Sequence, residues 1–268
     1  MPRSLASTAH AVEANLFAFF QHLASWPRVR LHDDGACGWT SSDLPFPLFN
    51  SVFQARLDGV ADDVIEARVQ DCRDRRAAML WWTGPSSTPA DLGDRLTRRG
   101  FMLEPASGMC ADLDGAITEA PTGRDVRIEA VEDEATLVAW CRVLCSAFGA
   151  PQTFGEAFGE AAIAIGLGRD SVFRHFLARV NGEPAATGSL FFGAGVAGIY
   201  DVATVPERRR RGLGAAVTRA AMAAAREGGC RTAILHASAA GASLYRSLGF
   251  TDVCAIGQHV WVPDSLAR

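Results

Sequence analysis

Between Val205 and Gly214 the chain reads Val-Pro-Glu-Arg-Arg-Arg-Arg-Gly-Leu-Gly, a set of residue types suited to holding an anion. Four consecutive arginines, Arg208 to Arg211, directly precede a stretch whose apolar spacing predicts a helix running to Arg226. A helix N-terminus presents unpaired backbone N–H groups and the positive end of the helix dipole, so a phosphate is favoured there. Gly212 and Gly214 have no Cβ and would let such a group approach the backbone closely. All 26 basic residues are arginine; the absence of lysine excludes a Walker-type phosphate loop. Gly193-x-Gly195-x-x-Gly198 matches the dinucleotide fingerprint in letters, but the pattern that follows, Ile199 to Val205, is that of a strand, where the fingerprint requires a helix. A glycine hairpin is expected there instead.

The turn belongs to an ordered run of elements. A strand over Asp125–Val131 leads into a helix over Glu134–Phe148, with Leu137, Trp140, Cys141, Leu144 and Phe148 spaced for one face. A second helix over Gln152–Ile165 follows. Strands over Phe173–Val180 and Ala185–Phe192 are joined by Asn181-Gly182, a strong hairpin signal, and a third covers Gly198–Val205. The helix after the arginines turns Leu213, Val217, Ala220 and Ala224 inward and stops at Gly228-Gly229. A strand over Arg231–His236 and a short helix closing on Leu248-Gly249-Phe250 complete the run. The first half shows a similar order: a helix over Ala11–Ala24, strands in Val29–Trp39 and Phe46–Phe53, a helix over Ala61–Arg75, a strand over Met79–Trp82 and a helix over Ala90–Arg99. It ends on Gly100-Phe101 before one or two strands in Met102–Leu113, so Leu92-x-x-x-Leu96-x-x-x-Gly100-Phe101 echoes Leu244-x-x-x-Leu248-Gly249-Phe250. Asp114–Arg124, with Gly115, Pro121 and Gly123, reads as a linker, giving domains 1–120 and 121–268.

At 268 residues the chain is long enough for two cores, and its net charge of −4 gives no reason to expect nucleic acid or an anionic membrane as partner. Seven cysteines, odd in number and without a C-x-x-C pair, read as reduced thiols. No apolar run approaches the ~20 residues of a membrane span, and no signal peptide is apparent. A cytoplasmic, soluble protein is expected.

Two motifs carry a resemblance. Arg209-x-x-Gly212-x-Gly214 resembles the acetyl-CoA pyrophosphate loop of the GNAT acyltransferase superfamily, and Ala242-Ser243-Leu244-Tyr245-Arg246-Ser247-Leu248-Gly249-Phe250 resembles its later A-x-x-L-Y-x-x-L-G-F motif. The resemblance covers about residues 125 to 262 and implies an α/β fold with a mixed sheet. The C-terminal domain would have the GNAT acyltransferase fold. The smaller α+β domain before it is either a degenerate GNAT-like half lacking the Arg-x-x-Gly-x-Gly turn or an unrelated lid.

The function implied is N-acetylation: an amine acceptor, small molecule or peptide, attacks acetyl-CoA directly through a tetrahedral intermediate, with no metal. Arg209, Arg210, Arg211, Gly212, Leu213 and Gly214 would hold the pyrophosphate. The backbone of Ala203, Thr204 and Val205 would meet the pantetheine arm and the thioester carbonyl, and an N–H aimed at that oxygen would stabilise the oxyanion. Tyr245 takes the position that protonates the departing thiolate, and a phenol near pKa ~10 suits that leaving group. Ser238 falls where the superfamily often has a pantetheine-binding Asn. Gly198 falls where it often has a glutamate base, which leaves Asp201, through water, as the expected base, with Tyr200, His236 and His175 as further candidates. The alternative is a non-catalytic acyl-CoA-binding or regulatory module. Neither reading excludes a homodimer.

Overall fold

The computed structural model describes residues 5–115 and 125–266, so most of the expected linker lies outside the described residues. In chain order the elements are α1 (Leu5–Leu23), β1 (Val29–Asp33), β2 (Gly38–Ser42), β3 (Ser51–Phe53), α2 (Ala61–Arg75), β4 (Met79–Thr83), α3 (Leu92–Arg98) and β5 (Met102–Asp112). They continue with β6 (Val126–Ala130), α4 (Glu134–Phe148), α5 (Gln152–Ile165), β7 (Phe173–Val180), β8 (Glu183–Gly193), β9 (Val196–Thr204), α6 (Leu213–Glu227), β10 (Thr232–Ser238), α7 (Ala242–Ser247) and β11 (Thr251–Trp261).

The chain divides into two compact units, but not by a single cut near residue 120. One unit comprises Met1–Gly108, His236–Ala240 and Asp252–Arg268; the other comprises Met109–Leu235 and Gly241–Thr251. The physical reason is strand pairing. β11 lies antiparallel to β4, with Gly257 opposite Thr83 and Trp261 opposite Met79, so the end of the chain belongs with its beginning.

In the first unit the strands run in the order β1-β2-β3-β4-β11. β3 and β4 are parallel, joined through α2. The helix buries Ala61, Ile65, Val69 and Cys72 against a core that includes Trp81, Leu92, Leu96, Phe101 and Trp261. α1 adds Phe20, stacked on Phe53 at 5.0 Å.

In the second unit the order is β10-β9-β8-β7-β6. β7, β8 and β9 form a meander whose two hairpins turn on Asn181-Gly182 and Ala194-Gly195, all four residues at positive φ, which is the twist-matched hairpin turn. The second of these turns is the glycine hairpin expected in place of a dinucleotide loop. α4 starts at Asp133, whose carboxylate accepts the Thr136 amide at 2.7 Å, and stops at Gly149 in the left-handed region. Its expected face is buried except at Phe148, which is 64% exposed because the helix ends there. Gly155 of α5 packs on α4, and a Cβ there would lie 2.7 Å from the Cys145 sulfur. A Cβ on Gly188 of β8 would lie 2.4 Å from a Val217 methyl of α6, so that helix sits on the strand only because residue 188 is glycine. The buried stripe of α6 is Leu213, Val217, Ala221 and Ala225, with Ala216 and Met222 beside it. Ala220 and Ala224, expected inward, are half-buried; in a helix this rich in alanine, composition does not select the face.

Candidate active site

The arginine-rich turn leaves β9 at Val205, makes one short 3₁₀ turn over Pro206–Arg208, and enters α6 through Gly212. Arg210 (φ +63°) and Gly212 (φ +77°) are both left-handed. Arg209 before them is extended (φ −61°, ψ 160°), so the two left-handed residues bend the chain sharply into the helix. No side chain caps α6, and no acidic residue stands in its first turn, so the first amides and the positive end of the dipole are left open. Gly212 has no atom within 4 Å of where its Cβ would be, while a Cβ on Gly214 would make ordinary contacts with Leu244 at 3.5 Å and Val202 at 3.8 Å. At Gly212 the backbone conformation demands glycine. At Gly214 nothing inside the chain does, so the missing side chain serves to leave space beside the helix. Leu213 is buried and offers its backbone alone.

Those two contacts also gather the site. Val202 lies on β9 and Leu244 lies next to Tyr245 on α7, so the turn, the end of β9 and α7 meet at Gly214. Arg209 adds α4: its Nη2 donates to the Ala147 carbonyl at 2.9 Å and its Nε to the Thr204 carbonyl at 3.2 Å. The Arg209 guanidinium, expected to add charge at the pyrophosphate, is thus engaged with two carbonyls, one of them at the negative end of the α4 dipole. Arg210, Arg211 and Gly212 are exposed.

β9 pairs with β10 only through Ala197–Ile199 opposite Ala233–Leu235. Tyr200 to Thr204 run on beyond that pairing, with β8 on their other side. Within them the strand bulges: three steps from Tyr200 to Ala203 face two steps from Ser189 to Thr187. Asp201 sits in the bulge at φ +55°, its carbonyl accepting the Thr187 hydroxyl at 2.8 Å. Ala203 and Thr204 stand opposite Thr187 and Ala186. The Val205 amide, expected to be free for pantetheine, instead donates to the Ala185 carbonyl at 3.0 Å, because the meander extends one residue past β9.

Among the expected acid–base residues, Asp201 and Tyr245 keep suitable surroundings. Burial pushes the Asp201 carboxyl up to about 6, against the Ser189 hydroxyl bonded to it, which lowers it. Burial pushes the Tyr245 phenol up to about 12, so it stays protonated through neutral pH; its ring meets Phe250 edge-on at 6.0 Å. Tyr200 is pushed up by burial and by the neighbouring Asp201 charge, and His175 is pushed down to about 3 by burial. Neither serves as a base near neutrality. Gly198 lies buried in the paired part of β9. His236 and Ser238 end β10 in the segment that belongs to the first unit; burial pushes His236 down to about 4, and Ser238 is exposed. Thr187 and Ser189, the fully buried partners of Asp201, were not foreseen. The signal was present as two hydroxyl residues at period two inside an otherwise apolar strand. Among the described residues, no cluster of three His, Cys, Asp or Glu is placed to hold a metal ion.

Residues 137–250 match the model of the acetyltransferase (GNAT) family. This segment is a GNAT domain. The family supports an acyltransferase function for the chain. No curated protein matches the sequence. Solved structures share the fold at low identity. A GCN5-related N-acetyltransferase from Kribbella flavida is 17% identical with a TM-score of 0.71, over 95% of this chain and 97% of that one. A GCN5-related N-acetyltransferase from Sphaerobacter thermophilus is 16% identical with a TM-score of 0.60, over 97% and 94%. A tandem GNAT protein from the clavulanic acid biosynthesis pathway is 13% identical with a TM-score of 0.56, over 88% and 84%. Such coverage reaches well beyond the GNAT domain and is consistent with a tandem GNAT-like arrangement.

Proposed function

We propose that the chain is an acetyl-CoA-dependent N-acetyltransferase whose donor is held at the N-terminus of α6. The observation that carries this reading is the open turn itself: two left-handed residues, a glycine with empty space beside it, and a first helical turn without a carboxylate. These residues fit a pyrophosphate. Arg210 and Arg211 would add charge from the exposed side, and the amides of Leu213 and Gly214 would donate to phosphate oxygens.

Acetyl-CoA supplies the activated acyl group. The acceptor amine loses a proton to Asp201, directly or through water, and its nitrogen bonds to the carbonyl carbon to give a tetrahedral intermediate, which collapses as the carbon–sulfur bond breaks. Tyr245 presents its O–H to the departing sulfur. The proton gained at Asp201 and the one given by Tyr245 balance through solvent, leaving amide and thiol. Asp201 suits the base role because a carboxyl near 6 has more affinity for a proton than an ordinary one and is still mostly ionised at neutral pH.

A non-catalytic acyl-CoA-binding module is the second reading, favoured by the glycine at 198. A panel of amines with acetyl-CoA, followed by release of free thiol, separates the two. Turnover with at least one amine is expected; binding of acetyl-CoA without turnover across the panel, and without effect of Asp201→Asn, would leave the binding module.

A further inference from the structure

Inside the second unit a chain of polar groups, half-buried at Asp201 and buried at Ser189 and His175, runs across three adjacent strands. Asp201 on β9 is bonded by the Ser189 hydroxyl on β8, and Ser189 Oγ lies 2.8 Å from His175 Nδ1 on β7. Ser189 and His175 are 0% and 1% exposed. His175 Nε2 has no hydrogen-bond partner among the described residues. Around the imidazole stand Trp140 of α4 at 4.8 Å, Phe158 of α5 at 5.8 Å and Phe173 at 4.4 Å, an apolar enclosure with no place for a charge.

We infer that Ser189 and His175 are positioning residues that fix the proton affinity of Asp201, an assignment resting on the reading of Asp201 as the base. The Ser189 hydroxyl has one hydrogen. With Asp201 ionised, that hydrogen goes to the carboxylate, so Ser189 Oγ must accept, and among the described residues His175 Nδ1–H is the donor in reach. His175 therefore holds its proton on Nδ1 and turns a bare lone pair, not an N–H, into the aromatic enclosure. This is the less costly group to leave unpaired, since orphaned buried donors are rarer than under-satisfied acceptors. The opposite tautomer would take the Ser189 hydrogen away from Asp201 and strand an N–H among rings. The backbone holds the same geometry: the bulge brings Asp201 to φ +55°, and Thr187 pins its carbonyl.

Among the described residues, the titratable groups facing Asp201 are Cys141 from α4, Tyr200 on its own strand and His175 through Ser189. Burial pushes Cys141 up to about 12 and Tyr200 up as well, and His175 down, so all three are neutral near pH 7. The ionisation of Asp201 is then governed by burial against a single oriented hydroxyl.

The test is carbon-13 NMR titration of the Asp201 carboxyl, alongside the pH dependence of kcat and of KM for acetyl-CoA, in the full chain and three variants. Ser189→Ala should raise the Asp201 midpoint by about one unit, equivalent to one charge-directed hydrogen bond, move the acid limb of kcat up with it, and leave KM for acetyl-CoA unchanged. His175→Leu should shift the midpoint the same way by less. His175→Asn, which can still offer an N–H near Nδ1, should restore most of the wild-type value. An Asp201 midpoint unmoved in a folded Ser189→Ala protein overturns the assignment. A midpoint that moves while the rate profile stays put supports the chain of hydrogen bonds and removes Asp201 as the base.

Discussion

The chain contains two helices, α2 and α6, that each join a pair of parallel strands, and their first turns are opposites. α6 begins after four arginines with no carboxylate in its first turn. α2 begins at Val60 with Asp62 and Asp63 in that place, and Asp62 meets Arg99 at 2.8 Å and Arg95 at 2.6 Å. The positive end of α2 is thus answered by its own side chains, while that of α6 is left for something outside the chain. The later turns repeat the contrast. After α3, Gly100 (φ +85°) and the Phe101 amide on the Leu96 carbonyl reproduce Gly249 (φ +88°) and the Phe250 amide on the Tyr245 carbonyl. By this hydrogen bond Leu96 stands in the first turn where Tyr245 stands in the second, and not opposite Leu248 as the spacing of leucines suggests. The first half keeps the fold's closing turn and carries neither the anion turn nor the phenol, so shape and chemistry are separable in this architecture.

The substitution expected to act most strongly on that comparison is Gly212→Asp. It gives α6 the carboxylate that α2 has and forces a side chain into φ +77°, and calorimetry should show acetyl-CoA affinity weakened by at least about 100-fold. Tyr245→Phe makes the second closing turn as inert as the first. kcat should fall about 100-fold, the usual scale for a general acid, with coenzyme affinity intact; an unchanged rate would remove the phenol from the chemistry. Arg209→Ala frees the turn from Ala147 and Thr204 without touching the first amides of α6. A severalfold rise in KM for acetyl-CoA with little change in kcat is expected, as for lost positioning.

Acid stability separates buried groups by sign. His175 and His236, lowered to about 3 and 4, contribute stability present above the ordinary histidine value near 6.5 and lost as pH falls through their folded values. Asp201, raised to about 6, contributes stability present below the ordinary carboxyl value and lost as pH rises through 6. Thermal melts from pH 7 to 4 should show a falling Tm, and Asp201→Asn should steepen the fall. The smallest effect is expected from Asp62→Asn with Asp63→Asn, which strips α2 of its carboxylates. Melting should shift only slightly, these being exposed ion pairs, and no second coenzyme site should appear, because the run of arginines is still missing, although Gly59 before α2 is left-handed too.

Much of this was legible in the residues. The order of elements, both turns of the meander, and the span of α4 follow from periodicity, Asn-Gly chemistry and the glycines of the second hairpin. What escaped depends on partners distant in sequence. Nothing near Thr251 announces that β11 pairs with β4, so the units were not separable by a cut. Nothing near Asp201 announces a bulge, which arises from a mismatch of steps against β8. The Val205 amide and the Arg209 guanidinium looked free because their acceptors, Ala185, Thr204 and Ala147, are brought to them only by the folded sheet and α4.

The central claim is that the open α6 turn is the one coenzyme site of the chain. Calorimetry of the wild-type protein and Gly212→Asp with acetyl-CoA tests it most directly. One coenzyme per chain, lost in the variant, is the predicted result; two per chain, or undiminished binding in the variant, would contradict it.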